Sequence, residues 1–572
     1  MRRVILIGLW LSSAALAAAD DTVRYTLTPV LAKGKLEAAA ITMRFKGDAD
    51  GETVLQLPDS WGGKSKLYEG LQDLKVSGTG VTVAETGPAT RTIKHAPGTD
   101  LTVRYRVVQN WPGEPEAAGA NEYRPIIQPN YFHLIGNAIF AEPVRGDGGE
   151  TEPTPASFSL EGLPRGWAFA SDLEHGAMGR KLTVGDIIES VSVAGDFRVL
   201  KRGPLRVAIR GKWSFTDEAF VDRLSAIVVS HLRFWNDPDE PYLVTVLPLK
   251  AQAGSSSLGG TGRSDAFAFF ATDNAEDATL NRILAHEHLH TWIPRRIGSM
   301  PDSEASEPAD YWLSEGFTDF YTARLLVRDG IWTVDDFVRE TNDLLRAYAM
   351  STARTAPNSK IVSDFWTDPD VGKLPYQRGA LLAMIWDARI RTASAGARDF
   401  DDVMFAVKAR ASAGNSKPPL ASTLFREEMK RAGVDPTDDL ARFVDKGEAI
   451  ELPGDVFAPC GSVAMVEMAE FDRGFDPKKT AANGNKITGL RVDSPAYRAG
   501  LRDGMQIVKR EAGKPGDSRV DLTYRVLDNG VERVITYKPE GSKRITLQEF
   551  VLKAGLGESE RKACAARLGG VS

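Results

Sequence analysis

The sequence predicts a multi-domain α+β protein, with a β-sandwich first, a mainly helical domain in the middle and a smaller strand-and-turn module last. Two changes of period carry this expectation. From residue 20 to about 205 apolar residues alternate with polar ones, as in Val23, Tyr25 and Leu27, or Leu101, Val103, Tyr105 and Val107. That is the pattern of strands with one buried face. Beyond residue 277 the apolar spacing becomes helical, and from about 455 strand and turn signals return. A chain of 572 residues is also too long to fold around one core.

The elements follow in order. Residues 1–19 hold Arg2 and Arg3, an apolar run from Val4 to Leu11, and the small residues Ala17, Ala18 and Ala19 ahead of Asp20. This is the layout of a secretory signal peptide, and it predicts an exported protein, periplasmic or secreted. Residues 20–205 form the β-sandwich, punctuated by turns such as Gly47-Asp48-Ala49-Asp50-Gly51 and Gly146-Asp147-Gly148-Gly149. Residues 206–450 form the second domain. It opens with a strand over 205–215, an amphipathic helix over 220–235 and a buried strand over 242–247. A helix starting at Asp277 carries Ile283, Leu284, Leu289 and Ile293 and stops near Gly298 and Pro301, and a second runs from about Ala309 to Gly330. Further helices are expected near 334–350, 375–394, 400–412, 419–432 and 436–446. Residues 451–572 form the last module, with Asp528-Asn529-Gly530 as a hairpin signal.

Composition narrows the function classes. Loss of Arg2 and Arg3 with the signal leaves 69 basic against 77 acidic residues, a formal charge of −8. Such a balance argues against nucleic acid as a partner. No segment after the signal approaches eighteen uninterrupted apolar residues, so no stable membrane span is expected. The two cysteines, Cys460 and Cys564, both lie in the last fifth of the chain. In an exported protein they are expected to pair and staple the C-terminal module.

Residues 286–290 read His-Glu-His-Leu-His. His286 and His290 stand four apart, so a helix presents both imidazoles on one face, where they can share one metal ion. Glu287 sits beside them, toward the open coordination position. A catalytic zinc site needs a third protein ligand. Glu315, 24 residues after His290 on the next helix, stands where one would be, with Asp319 one turn further along the same face. Asp319 could accept the remaining N–H of a ligand histidine and fix its tautomer. His288 points away from the ligand face and reads as an outer or solvated histidine. A closed structural zinc site would want cysteines or a fourth ligand nearby, and neither is present.

His286-Glu287-x-x-His290, Thr291-Trp292, Arg295-Arg296-Ile297, the run from Leu313 to Tyr321, and Tyr376-x-x-Gly379-Ala380 together resemble the glycyl aminopeptidase family of gluzincin metallopeptidases. The resemblance covers nearly the whole mature chain. It implies a β domain, a thermolysin-like catalytic domain over 206–450 and a C-terminal PDZ domain over 451–572. It also implies one Zn²⁺ per chain on His286, His290 and Glu315, with Asp319 in support. Glu287 would then be the general base and acid, and Tyr376 the donor to the oxyanion. The PDZ reading rests on Ser494-Pro495-Ala496, Ala499-Gly500-Leu501 and Gly504-Met505-x-Ile507, with Arg473-Gly474-Phe475 as a candidate peptide-binding loop. Such a domain would bind a peptide ligand at a sheet edge, or serve structure alone.

The family pattern breaks at one place. Family aminopeptidases hold the substrate's α-amine with a glutamate in a Gly-Gly-Leu-Glu-His segment, whereas this chain reads Gly259-Gly260-Thr261-Gly262-Arg263-Ser264-Asp265. Gly262 replaces the glutamate and Arg263 the histidine. Three readings stay open. Asp265 could take over the amine after a local shift. Alternatively Gly259 and Gly260 could line a strand that binds extended peptide without a free amino terminus, with Arg263 attracting an acidic group. A third is a zinc hydrolase of non-peptide bonds. Outside enzymes, the rival is a catalytically degenerate scaffold that binds peptide through the PDZ-like module.

Overall fold

The computed structural model describes residues 21–117, 121–144, 153–237, 241–250, 257–263, 265–274, 277–301, 303, 305–414 and 418–570. The expected signal segment and the Gly146–Gly149 turn lie outside the described residues.

The N-terminal region is β-rich and built from three sheets of six, four and four strands. In the largest, Tyr25 pairs with Met43 and Met43 with Val103, while Leu27 pairs with Ile41 and Ile41 with Tyr105. Alternation therefore stacks the apolar side chains on one face, where all six are buried. A second sheet, of Ile126–Gln128, Tyr131–Ile135, Ala168–Ser171 and Val191–Gly195, is covered on both sides. Phe132, Leu134 and Ala194 join the core of the first sheet. Tyr131, Ile135, Val191 and Val193 pack instead on Leu243, Leu247, Ala268 and Phe270 of the next domain. This shared core fixes the β-rich region against the following domain.

The second domain opens on a five-stranded sheet in the order Arg198–Arg202, Leu205–Ile209, Tyr242–Pro248, Ala266–Ala271, Leu258–Gly262. The first strand of this sheet falls before residue 206. Helix Asp217–Trp235, capped by the Thr216 hydroxyl, makes the crossover between two parallel strands. Leu258–Gly262 lies at the edge. Gly260 is required there, because a Cβ would stand 2.4 Å from the Ala268 carbonyl.

Helices then dominate, at Asp277–Leu289, Tyr311–Arg328, Val334–Met350, Asn358–Asp364, Pro369–Ala393, Phe400–Ala411 and Ala421–Arg431. Two differ from expectation for local reasons. The first stops at Leu289 rather than near Gly298, because Pro294 has no N–H to continue the ladder and restricts Ile293 before it. The helix expected from 375 begins at Pro369, since the Asp368 carboxylate accepts from the Asp370 and Val371 amides and the chain carries Pro375 inside the helix. Asn358–Asp364 was not anticipated. Helices 311–328 and 369–393 cross with backbones touching at Gly316 and Gly379, where a Cβ on Gly379 would lie 1.8 Å from the Trp312 carbonyl.

The last region holds a ribbon of Gly461–Phe471 with Glu540–Leu552 and a three-stranded sheet of Gln506–Ala512, Leu522–Asp528 and Val531–Tyr537. That sheet shares a small core with Phe475, Ile487, Ala496 and Leu501. The base of the ribbon belongs to the helical core instead. Phe457, Cys460, Phe550 and Leu568 are part of it, and Asn342 bonds both backbone groups of Phe550, at 3.1 and 2.7 Å. Cys460 and Cys564 form a disulfide, Cα atoms 5.4 Å apart. It closes a loop across 104 positions, so the double alanine variant should lose about 2–4 kcal/mol through the freed unfolded chain. A urea midpoint equal to wild type would contradict that contribution. Among the described residues no helix is long and apolar enough to cross a membrane.

Candidate active site

Three side chains converge where helix 277–289 meets helix 311–328. One ligand atom from each of His286, His290 and Glu315 lies within 4.8 Å of the others. The Nε2 atoms of His286 and His290 stand 3.3 and 3.5 Å from the same oxygen of Glu315. Both Nδ1 atoms are engaged elsewhere. His286 Nδ1 is 2.8 Å from an Asp319 oxygen, and His290 Nδ1 is 2.8 Å from the Ile293 carbonyl. The proton belongs on Nδ1 in each ring, which leaves both Nε2 lone pairs for a metal. The early end of the helix is what turns the Ile293 carbonyl back onto His290.

Electrostatics follow from burial and mutual contact. Burial opposes charge on Glu315, yet the His290 and His286 imidazoles hold its carboxyl well below the usual carboxylate range. Burial likewise opposes charge on His286, but the hydrogen bonds with Asp319 and Glu315 raise its pKa to about 10 without a metal. Asp319 is braced in turn by Arg282 at 2.8 Å, whose other arm reaches Glu340 at 2.6 Å. Burial pushes the Glu287 carboxyl up, against the pull of His290 and His286 and a hydrogen bond from the Gly262 amide. The Tyr376 ring lies beside His286, centroids 5.8 Å apart. Burial and the surrounding Glu315, Glu287 and Asp319 keep its hydroxyl protonated.

Glu287, His290, Glu315 and Tyr376 line one cavity of about 570 Å³. Gly260 and Gly262 line it too, and a Cβ at Gly262 would stand 3.3 Å from Glu287 Oε2. Gly259 sits on the same strand but outside that wall. Arg263 and Asp265 also lie behind it. The Arg263 guanidinium is fully buried, donates to the Glu189 carbonyl at 3.0 Å and to Asn137, and lies over the Trp61 ring. Asp265 is paired with Arg180. Both are spent on fastening the strand to the β-rich region, so neither presents its charge in the cavity. His288 faces away from the ligands as expected, but it is buried rather than solvated. It stacks on His231 with the two Nδ1 atoms 2.9 Å apart.

Trp61, Tyr123 and Glu189, which the β-rich region contributes to the cavity, carry no signal in the sequence, and Arg295, which pairs with Glu189, stands in a motif that gives it no stated role. Tyr123 donates to the Gly260 carbonyl at 3.0 Å. Only Arg295 carried a local signal, through its place in the motif after the second histidine.

The profile of the family described as M61 glycyl aminopeptidase matches residues 279–369, the stretch with both histidines, Glu287, Glu315 and Asp319. With that match beside the converging ligands, the chain is a zinc metallopeptidase. The fold of this peptidase is similar to that of an aminopeptidase N family protein from Idiomarina loihiensis, with TM-score 0.64 and 15% identity over 95% of this chain and all of the other. An M1 zinc metallopeptidase from Deinococcus radiodurans gives 0.46 at 15% identity over 76% of this chain and 96% of its own. Yeast LTA4 hydrolase gives 0.45 at 14% over 76% and 69%. No curated protein matches the peptidase in sequence.

The donor set fits zinc. Two imidazole nitrogens and one carboxylate oxygen converge at the wall of a cavity, which is the three-ligand, open-position arrangement of catalytic zinc. Asp319→Ala should weaken zinc binding about 10–100-fold, because His286 loses the partner that orients it. Competition against a chromophoric chelator measures this, and unchanged affinity would show that Asp319 does not support the site.

Proposed function

We propose that this chain is an exported zinc peptidase that hydrolyses peptide bonds in the cavity between the β-rich and helical regions. One observation carries the reading: His286, His290 and Glu315 gather their ligand atoms beside Glu287 and Tyr376 in a single cavity. Zinc bound there would polarise the scissile carbonyl and make water nucleophilic near neutral pH.

The chain's own groups do the rest. Glu287 accepts the proton of the attacking water and later delivers it to the leaving amine nitrogen. The Gly262 amide fixes its carboxylate. Tyr376, protonated, donates to the oxyanion of the tetrahedral intermediate. Asp319 holds the Nδ1 proton of His286 and is itself held by Arg282.

We favour cleavage without a strict need for a free amino terminus. Asp265 is paired with Arg180 away from the cavity wall, and Gly262 leaves no carboxylate at the family's amine position. The edge strand Leu258–Gly262 lines the cavity through Gly260, Thr261 and Gly262, a surface along which an extended peptide can lie. Hydrolysis of a peptide and of its N-acetylated twin decides the matter. Equal rates support this reading, and loss of cleavage on acetylation would overturn it.

Residues 1–19 support export, as does the disulfide, which suits an oxidising compartment. For residues 451–572 a PDZ-like, peptide-binding module is our reading, supported by the three-stranded sheet, the short helix Pro495–Arg498 and their common core.

A further inference from the structure

The wall of the catalytic cavity away from the charged centre is aromatic, and two regions of the chain build it. The β-rich region contributes Trp61 and Tyr123, and the helical region contributes Met300, Tyr311, Phe365 and Trp366. These side chains support one another. Phe365 meets Tyr311 edge-on at 4.7 Å and Trp366 at 4.8 Å. Tyr123 is held at its hydroxyl by Gly260 and at its edge by Phe270. Arg263 covers the Trp61 ring at 4.5 Å. The Gly62–Gly63 turn, left-handed at both residues, runs between the two groups. A Cβ at Gly62 would lie 3.2 Å from the Tyr123 ring, and one at Gly63 3.6 Å from Trp366. Glycine takes that left-handed backbone most readily, and its lack of a side chain brings main chain rather than side chain up to both rings.

The charged groups of the same wall are largely committed. Glu287 and Glu315 belong to the metal centre, Glu189 is paired with Arg295, and Glu307 completes the set. Trp366 nevertheless keeps 54% of its surface exposed, a large indole face at a cavity mouth. Rigid, mutually braced aromatic surface beside a hydrolytic centre gains most by covering an apolar side chain. A glycine would leave it wet.

We propose that this wall is a specificity subsite for an aromatic or large aliphatic side chain of the substrate peptide, adjacent to the scissile bond, with Trp61 and Trp366 as its determining residues. The inference rests on the zinc-peptidase reading and names the substrate class for that site. Arg263 enters as a positioning residue that keeps Trp61 in place.

The test pairs turnover with binding. A peptide library digested by the zinc-loaded protein should show Phe, Tyr, Trp, Leu or Met enriched at one position flanking the cut. Trp366→Ala, a half-exposed residue whose loss the fold tolerates, should lower kcat/KM for such peptides about tenfold, mainly through KM. Glycine or alanine peptides should change little. Tryptophan fluorescence titration of the Glu287→Gln protein, which needs no turnover, should give tighter binding of a Phe-containing peptide than of its Gly twin, with the difference lost in Trp366→Ala. Cleavage without side-chain preference, a preference for glycine, or equal loss on all peptides overturns the subsite and leaves the peptidase reading standing. Discriminating binding with no cleavage anywhere keeps the subsite and removes the peptidase reading.

Discussion

Gly379→Ala should reduce kcat/KM on the order of 10²-fold and destabilise the protein by about 1–3 kcal/mol or more. A Cβ at this position would stand 1.8 Å from the Trp312 carbonyl and 2.7 Å from Gly316 Cα. Backbone atoms cannot rotate away, so helix 369–393 must move off helix 311–328. The first carries Tyr376 and the second carries Glu315 and Asp319. A displacement near 1 Å at this crossing parts the oxyanion donor from the metal ligands, and such misplacement is where the rate loss arises. Gly259→Ala is the control, since a Cβ there meets nothing within 4 Å. Thermal melts and steady-state kinetics of the two variants check the argument. A Gly379→Ala protein with wild-type melting and turnover would show that the crossing is looser than described.

Glu287→Gln should lower kcat about 10²–10⁴-fold with the zinc content unchanged. Glutamine keeps the shape and can still accept from the Gly262 amide, but it cannot take a proton from water. The three metal ligands are untouched, because Glu287 is not among the converging donors. Metal analysis and kinetics on one preparation separate the two effects. Zinc lost together with activity would mean that Glu287 holds the site together rather than moving protons.

The centre of the site was legible because its spacing is local. Two histidines four apart and two carboxylates four apart are sets that a helix must place on single faces. The glycines of Glu315-Gly316 and Tyr376-x-x-Gly379 stood in the same motifs, and their crossing explains how the two helices reach one another. The expected pairing of Cys460 with Cys564 appears as a disulfide. The rest of the cavity depends on packing between distant segments. Trp61, Tyr123 and Glu189 reach it because the second sheet of the β-rich region is buried on both faces, and no periodicity reports that. The same interface draws Arg263 and Asp265 away from the cavity into partnerships with Asn137, Glu189 and Arg180. His288 faces away from the ligands as its helix position predicts, but its burial depends on His231, 57 residues earlier. Pro375 reads as a helix start in isolation, and only the cap at Asp368 shows that the helix is already under way.

Zinc-dependent cleavage of a peptide tests the central claim most directly. The protein would be stripped with a chelator, dialysed, titrated with zinc and assayed against an unmodified peptide library read by mass spectrometry. Cleavage should vanish on stripping and return in full at one zinc per chain, in proportion to metal bound at His286, His290 and Glu315. Cleavage that ignores zinc, or a fully zinc-loaded protein that cuts nothing, would contradict the account.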